Sequence, residues 1–328
     1  MNEQPKEIGL DTAPLAGISD SAFRVVTKLV GGPDLVYTEM ISAVALVRGD
    51  RRTFRMLECD PREGDVVFQL FGADPAIMAE AARRIEALGA EAIDLNMACP
   101  VRKVVKTGAG LALSRDMDLA ARLFEAVRKS AQRVRLSAKL RAGWNRSEPT
   151  AVKIARLAEE HGLDGVTIHP RYRTGYDVPA DWSIIAEAVS AVGISVTGNG
   201  DIRSGADAVR MVGETGCARV MVGRASLGDP WIFRRIRAAL NGLPEPEVPN
   251  LAERGATLLR HMEMHTARSG QRALSNFRKH LGWYARSIRN ASEFRRRAME
   301  CRSITGVREL VFTYFPGSGD PALFKGTT

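Results

Sequence analysis

The chain has 328 residues, 45% hydrophobic and 26% charged, enough for a full core in one large domain or two. No apolar run reaches the roughly 18 residues that span a bilayer, the N-terminus lacks a signal-peptide pattern, and four scattered cysteines exclude a disulfide framework or zinc set. The net charge is +9, and residues 250–328 hold 14 Lys and Arg against 6 Asp and Glu. The excess therefore sits in the last quarter. It points to a polyanionic partner, nucleic acid before membrane, with a merely solvated basic surface as an equal alternative. A reducing cytoplasm, no membrane, no metal and a monomer are expected.

Short apolar runs read as buried strands in chain order: "IGLDTAPLA" (8–16), "LVYTEM" (35–40), "VVFQLFG" (66–72) and "AIDLNM" (92–97). They continue with "VRLSAKLRAG" (134–143), "GVTIHP" (165–170), "ISVTGNG" (194–200) and "ARVMVGR" (218–224). Helical patterns lie between them. "DPAIMAEAARRIEALGA" has Pro75 near its start and Gly89 near its end, where helix boundaries favour them. Eight βα units over about 240 residues predict an α/β fold of the (β/α)8 TIM-barrel type. A doubly wound sheet is the runner-up, and it lacks a Gly-rich fingerprint after the first strand. The proline-rich segment 241–250 reads as a linker. Residues 251–315 read as a small all-α C-terminal domain carrying the basic excess, and 316–328 as a tail.

In such a barrel the active site lies at the C-terminal ends of the strands. Gln69, Asn96, Lys139, Arg141, His169 followed by Arg171, and Asn199 with Asp201 all fall there. Each alone has a structural explanation, but five consecutive units placing polar groups at one rim do not share one. "GNGDIRSG" after strand 7 and "GRASLGDP" after strand 8 match the recurrent phosphate site of this fold, with Arg224 adding charge. A flavin mononucleotide suits that layout, with Gln69 and Lys139 toward its pyrimidine edge. Cys99 lies in the loop after strand 4. Arg102, Lys103 and Lys106 follow closely and are expected to lower its pKa. Beside a reduced flavin this thiol is a candidate proton donor.

Taken in order, "APLAGISDSAFR", "TEMIS", "QLFG", "DLNMACPVRKVVKTGAG", "KLRAGW", "IHPRYRTGY", "GNGDI" and "VGRASLGDPWIF" resemble the bacterial tRNA-dihydrouridine synthases. The likeness runs from about residue 8 to 240, and more weakly through "FRKHLGWY". The resemblance implies an FMN enzyme that reduces the C5–C6 double bond of selected tRNA uridines, with NADPH as the electron source. Hydride goes from reduced FMN to C6, and the proton from Cys99 to C5. It implies Gln69 and Lys139 at the pyrimidine edge, and Pro14 and Leu15 against the ring. His169, Asn199, Gly200, Asp201, Gly223 and Arg224 would surround ribityl and phosphate. Asn96, Arg141, Tyr176 and Arg171 would meet the target nucleotide, Lys103 and Lys106 the entering RNA, and the helical domain its backbone. A stacked uridine must be extruded to reach such a mouth. Three positions depart from the family's usual pattern: Ala98 for Gly, Leu15 for Met, and Pro170 for a smaller residue. The competing readings are an FMN-dependent reductase of a small molecule and a non-catalytic RNA-binding protein.

Overall fold

The computed structural model describes residues 7–174, 178–269 and 273–320. Tyr176 lies outside the described residues. Nine strands form one parallel sheet: β1 (Gly9–Thr12), β2 (Leu35–Tyr37), β3 (Ile41–Ser42), β4 (Asp65–Phe71), β5 (Ala92–Met97), β6 (Arg135–Gly143), β7 (Gly165–Tyr172), β8 (Ser195–Asn199) and β9 (Arg219–Val222). The neighbours run β2-β1-β9-β8-β7-β6-β5-β4, and β2 also pairs with β4, so eight strands close into a barrel. β3 is a two-residue addition beside the end of β4.

The barrel strands are buried on both faces, so their alternation separates two interiors. In β5, Ile93, Leu95 and Met97 join the core between strands and helices. Ala92, on the opposite face, joins Ala13, Tyr37, Val67 and Met221 inside the barrel. Asp94 and Asn96 continue that inner face toward the mouth. The first and last strands are tied by an ion pair in which only the carboxylate is buried, Arg219 Nε donating to Asp11 Oδ2 at 2.9 Å.

Two strands differ from expectation. The run 35–40 stops as a strand at Tyr37 because hydroxyls replace ladder carbonyls on either side. Tyr37 N–H donates to Thr12 Oγ1 at 3.0 Å, and Gln69 N–H to Thr38 Oγ1 at 3.0 Å. β7 runs past residue 170 to Tyr172. Its register against β6 shifts between Arg141 and Gly143, a bulge that accommodates Pro170, which has no N–H to give.

The barrel is surrounded by α1 (Ser21–Gly31), α2 (Ala43–Val47), α3 (Arg51–Arg55), α4 (Pro75–Ala87) and α5 (Arg102–Val105). Then come α6 (Met117–Ser130), α7 (Ala151–Glu160), α8 (Ser183–Ala191), α9 (Gly205–Thr215) and α10 (Ile232–Leu240). Sequence punctuation sets their ends. Asp74 caps α4, whose first residue is Pro75, and Ser204 caps α9.

Residues 243–250 carry no regular element. Beyond them α11 (Leu251–Ser269), α12 (Ala273–Tyr284), α13 (Ala291–Glu300) and α14 (Ile304–Tyr314) pack around Leu258, Met262, Phe277, Leu281, Phe294 and Val311. Trp231 of the barrel joins this second core. The seam has polar ties as well: Asp20 caps α1 with Oδ1 and meets His265 Nδ1 at 2.6 Å with Oδ2. Lys279 Nζ donates to the Gly17 carbonyl, which fixes the loop after β1. No helix among the described residues is long and apolar enough to cross a membrane.

Candidate active site

A cavity of about 730 Å³ opens at the C-terminal mouth of the barrel. Pro14, Leu15, Asn96, Cys99, Lys139, Arg141, His169, Arg171, Asn199, Gly200, Asp201, Gly223 and Arg224 line it, so strand ends far apart in sequence meet there. Among the described lining residues, Lys139, Arg141, Arg171, Arg203, Arg224 and Arg286 face a single carboxylate, Asp201. Such a balance calls for an anionic ligand.

Cys99 is 8% exposed and held at both its backbone groups. Its N–H donates to Asn96 Oδ1 at 3.0 Å, and its carbonyl accepts from Leu111 N–H at 3.0 Å. Gly110 makes the second contact possible: its φ is +62°, and a Cβ there would come within 2.8 Å of the Cys99 oxygen. Burial pushes the Cys99 thiol up, against a weaker pull from the Val101 backbone and the Arg141 charge. Arg102, Lys103 and Lys106 do not lower it. Lys103 and Lys106 are exposed on and after α5, outside the cavity lining, so water screens them from the thiol.

Arg141 holds the loop from the other side, donating from Nε to the Ala98 carbonyl at 2.9 Å and from Nη1 to the Tyr172 carbonyl at 2.8 Å. Ala98, where a glycine was expected, is accommodated in that loop with 8% exposure. Lys139 is 7% exposed and donates to Asn199 Oδ1 at 2.8 Å, while Asn199 Nδ2 donates to the Met221 carbonyl at 2.8 Å. Burial lowers the Lys139 pKa and raises that of Asp94, each partly countered by the other's charge.

The turn after β8 is braced by Arg171, which also ties it to the segment after β7. Arg171 donates from Nη2 to both Asp201 oxygens, at 2.8 and 2.6 Å, and from Nε to the Val178 carbonyl at 2.8 Å. Its Nη1 lies 3.1 Å from His169 Nε2, a donor to an acceptor only when the ring is neutral. Burial, aided by Lys139 and Arg141, keeps His169 neutral by lowering its pKa to about 2. Gly200, with φ +117°, lets the backbone pass His169, since a Cβ would sit 2.8 Å from the ring. Arg224 is 66% exposed, and its guanidinium reaches no closer than 3.9 Å to Asp201 Oδ1. Glycine-lined loops below exposed guanidinium groups fit a phosphate, and the cavity volume fits a bound cofactor.

The sequence model of the dihydrouridine synthase (Dus) family matches residues 11–314. The chain belongs to this family. It is 37% identical over 286 residues to tRNA-dihydrouridine synthase B of Pseudomonas aeruginosa, covering 86% of this chain and 85% of that one. It is 38% identical over 276 residues to a probable tRNA-dihydrouridine synthase of Rhodobacter capsulatus, covering 83% and 85%. Among solved structures, morphinone reductase superposes with a TM-score of 0.50 at 14% identity, over 73% of this chain and 87% of that chain, a likeness of fold.

For this Dus chain, Arg203, Asp94 and Arg286 are among the residues of the mouth that escaped sequence reasoning. Asp94, fully buried, lies directly beneath the site, and Gln69 Nε2 donates to its Oδ2 at 2.7 Å. Its signal was the spacing to Asn96 on one strand face. Arg286 comes from the turn after α12 and reaches the mouth from the helical segment, a contact that no local pattern announces. Gln69 itself is fully buried and lies below the cavity lining, with its Oε1 accepting from Asn96 Nδ2 at 2.8 Å.

Proposed function

We propose that this chain reduces the C5–C6 double bond of uridines in tRNA to dihydrouridine, with the reaction at the barrel mouth. Bound FMN supplies the hydride for C6, its electrons coming from NADPH. Cys99 supplies the proton for C5. Burial holds that thiol protonated at neutral pH, as a donor requires, and the nearby Arg141 charge stabilises the thiolate left behind until water returns the proton.

The remaining residues bind and orient. Gly223 and Arg224, with the Asn199–Gly200–Asp201 turn, hold the phosphate, and neutral His169 packs beside the ribityl chain. Pro14 and Leu15 flank the ring. Lys139 would hold the pyrimidine edge, where an anionic ligand would favour the protonated amine that burial weakens. Gln69 retains one N–H and one lone pair beyond its two internal bonds for the same edge. Asn96, Arg141 and Tyr176 hold the target uracil. Arg171, whose guanidinium is committed to Asp201, Val178 and His169, is assigned to bracing the turn after β8 and not to the nucleotide. Lys103, Lys106, Arg286 and the basic helices of residues 251–315 meet RNA phosphates. The chain acts as a monomer in a reducing cytoplasm.

The observation that carries this reading is a buried, doubly anchored thiol on a cavity lined by six basic side chains in a chain of the dihydrouridine synthase family. The test is a single-turnover experiment without oxygen. Protein reduced by NADPH and then separated from it should be reoxidised by tRNA lacking dihydrouridine, and not by the same tRNA after full modification. Reoxidation at equal rates by both, or by neither, would overturn the reading.

A further inference from the structure

Beneath Cys99 runs an uninterrupted chain of side-chain hydrogen bonds across three strands. Ser137 Oγ on β6 donates to Asp94 Oδ1 at 2.7 Å, and Gln69 Nε2 on β4 donates to Asp94 Oδ2 at 2.7 Å. Asn96 Nδ2 on β5 donates to Gln69 Oε1 at 2.8 Å, and Asn96 Oδ1 accepts the N–H groups of Cys99 at 3.0 Å and Ala98 at 3.3 Å. Asp94 and Gln69 are fully buried, and Asn96 is 5% exposed.

The two ends of this chain are chemically fixed. An ionised carboxylate only accepts, and a backbone N–H only donates. Between them, Gln69 has to turn its nitrogen toward Asp94, which leaves its oxygen for Asn96. Asn96 then has to turn its nitrogen toward Gln69 and its oxygen toward Cys99. Rotating either amide puts oxygen against oxygen or nitrogen against nitrogen, each a buried group without a partner. Both ends thus select one orientation of both amides. We propose that Asp94 is a positioning residue, which through Gln69 and Asn96 sets the direction of a relay that fixes the Cys99 loop. The proposal rests on the reading of Cys99 as the proton donor. Asp94 hydrogen-bonds Gln69 and Ser137 and does not itself line the cavity, but its charge also acts on Lys139 at the mouth, so cutting the relay at Gln69 separates the amide route from that charge.

The test reads amide hydrogen exchange, resolved by residue, in the full chain as purified. Asp94→Leu removes the acceptor for Gln69 while keeping the branched four-heavy-atom side-chain skeleton, at the cost of two bulkier methyl groups in a fully buried site. Exchange at Ala98 and Cys99 is expected to quicken about tenfold, the opening that loss of one net buried hydrogen bond produces. The amide of Cys217, held by Thr215 Oγ1 at 3.2 Å on a different strand connection, should keep its wild-type rate and so separates local loosening from global destabilisation. Asp94→Asn keeps an oxygen for Gln69 while its nitrogen turns to Ser137 Oγ, so this conservative variant should retain wild-type protection. If Asp94→Leu does not fold, Gln69→Met cuts the relay one bond nearer Cys99 and should give the same local effect. Unchanged exchange at Cys99 in Asp94→Leu or its substitute would overturn the relay, as would equal loosening in Asp94→Asn. The readout needs neither tRNA nor NADPH. A failed product assay would therefore strike the proposed reaction and leave the relay standing, and the reverse holds too.

Discussion

Two buried polar clusters lie within one molecule and are built on opposite plans. At the barrel mouth, Asp94, Gln69, Asn96, Lys139 and Asn199 each meet a partner of the complementary kind, in a directed order. At the seam between barrel and helices, His261, His265 and His280 gather with Phe23, Phe277 and Tyr284 mainly as rings. The His261 centroid lies 4.6 Å from that of His280 and 4.9 Å from that of Phe277. His261 Nε2 and His265 Nε2 have no hydrogen-bond partner among the described residues. Burial, the largest influence, holds His261 and His280 below the usual imidazole range, so those rings pack in neutral form. The difference teaches that burial of polar groups has two uses. Directed hydrogen bonds fix atoms for chemistry, whereas neutral rings supply contact area with a pH-sensitive weakness.

The comparison can be broken most forcefully at the mouth. Cys99→Ala should lower steady-state dihydrouridine formation by on the order of 10²–10⁴-fold while flavin absorbance and thermal stability stay near wild type. A loss of bound flavin in that variant would mean that the thiol serves the pocket and not the proton. Next in size is Arg171→Met, which leaves Asp201 without the guanidinium that it meets at two oxygens. Removing one partner of a buried pair costs about 3–5 kcal/mol, readable in urea unfolding, and flavin should dissociate with it.

The seam is sharpened by pH. An unfolded histidine titrates near about pH 6.5, and folded His261 is lowered to about 4. Between these values the unfolded chain binds the proton first. Stability from the neutral ring is therefore complete above about pH 6.5 and is lost progressively as pH falls toward that folded value. His261→Phe should flatten the fall of unfolding free energy with acid by up to about 3 kcal/mol, read in urea unfolding at several pH values, with His280 still contributing in the same direction. An identical pH profile in the variant would remove His261 from that account. The smallest effect is expected at Arg286→Glu, where the logarithmic salt dependence of tRNA binding should shrink by about one unit with flavin still bound. An unchanged slope would show that the helical turn at the mouth is not a phosphate contact.

Much of this arrangement was legible in the sequence. The strands were visible because a barrel strand buries both faces and reads as an apolar run, as "AIDLNM" does. Cys99, Lys139, Arg141 and His169 were legible because polar residues ending such runs have one shared place to go. Asp94 was hidden by the same logic, since a charged residue inside an apolar run looks like an interruption until its partners on β4 and β6 are known. Arg171 was given to the nucleotide with the family resemblance; the structure sets it in the cavity lining with its guanidinium on Asp201, a contact that no local pattern in the sequence announces. Lys103 and Lys106 follow Cys99 in sequence, yet a turn of helix carries them to the surface. Proximity along the chain overstated their influence on the thiol.

The central claim is that this mouth makes dihydrouridine in RNA. The most direct measurement incubates the purified chain with NADPH and tRNA lacking dihydrouridine, digests the RNA and quantifies the nucleosides by mass spectrometry. The account predicts dihydrouridine from the wild-type chain and almost none from Cys99→Ala. A wild-type chain that carries reducible flavin yet forms no dihydrouridine, or a Cys99→Ala chain that forms it at the wild-type rate, would contradict it.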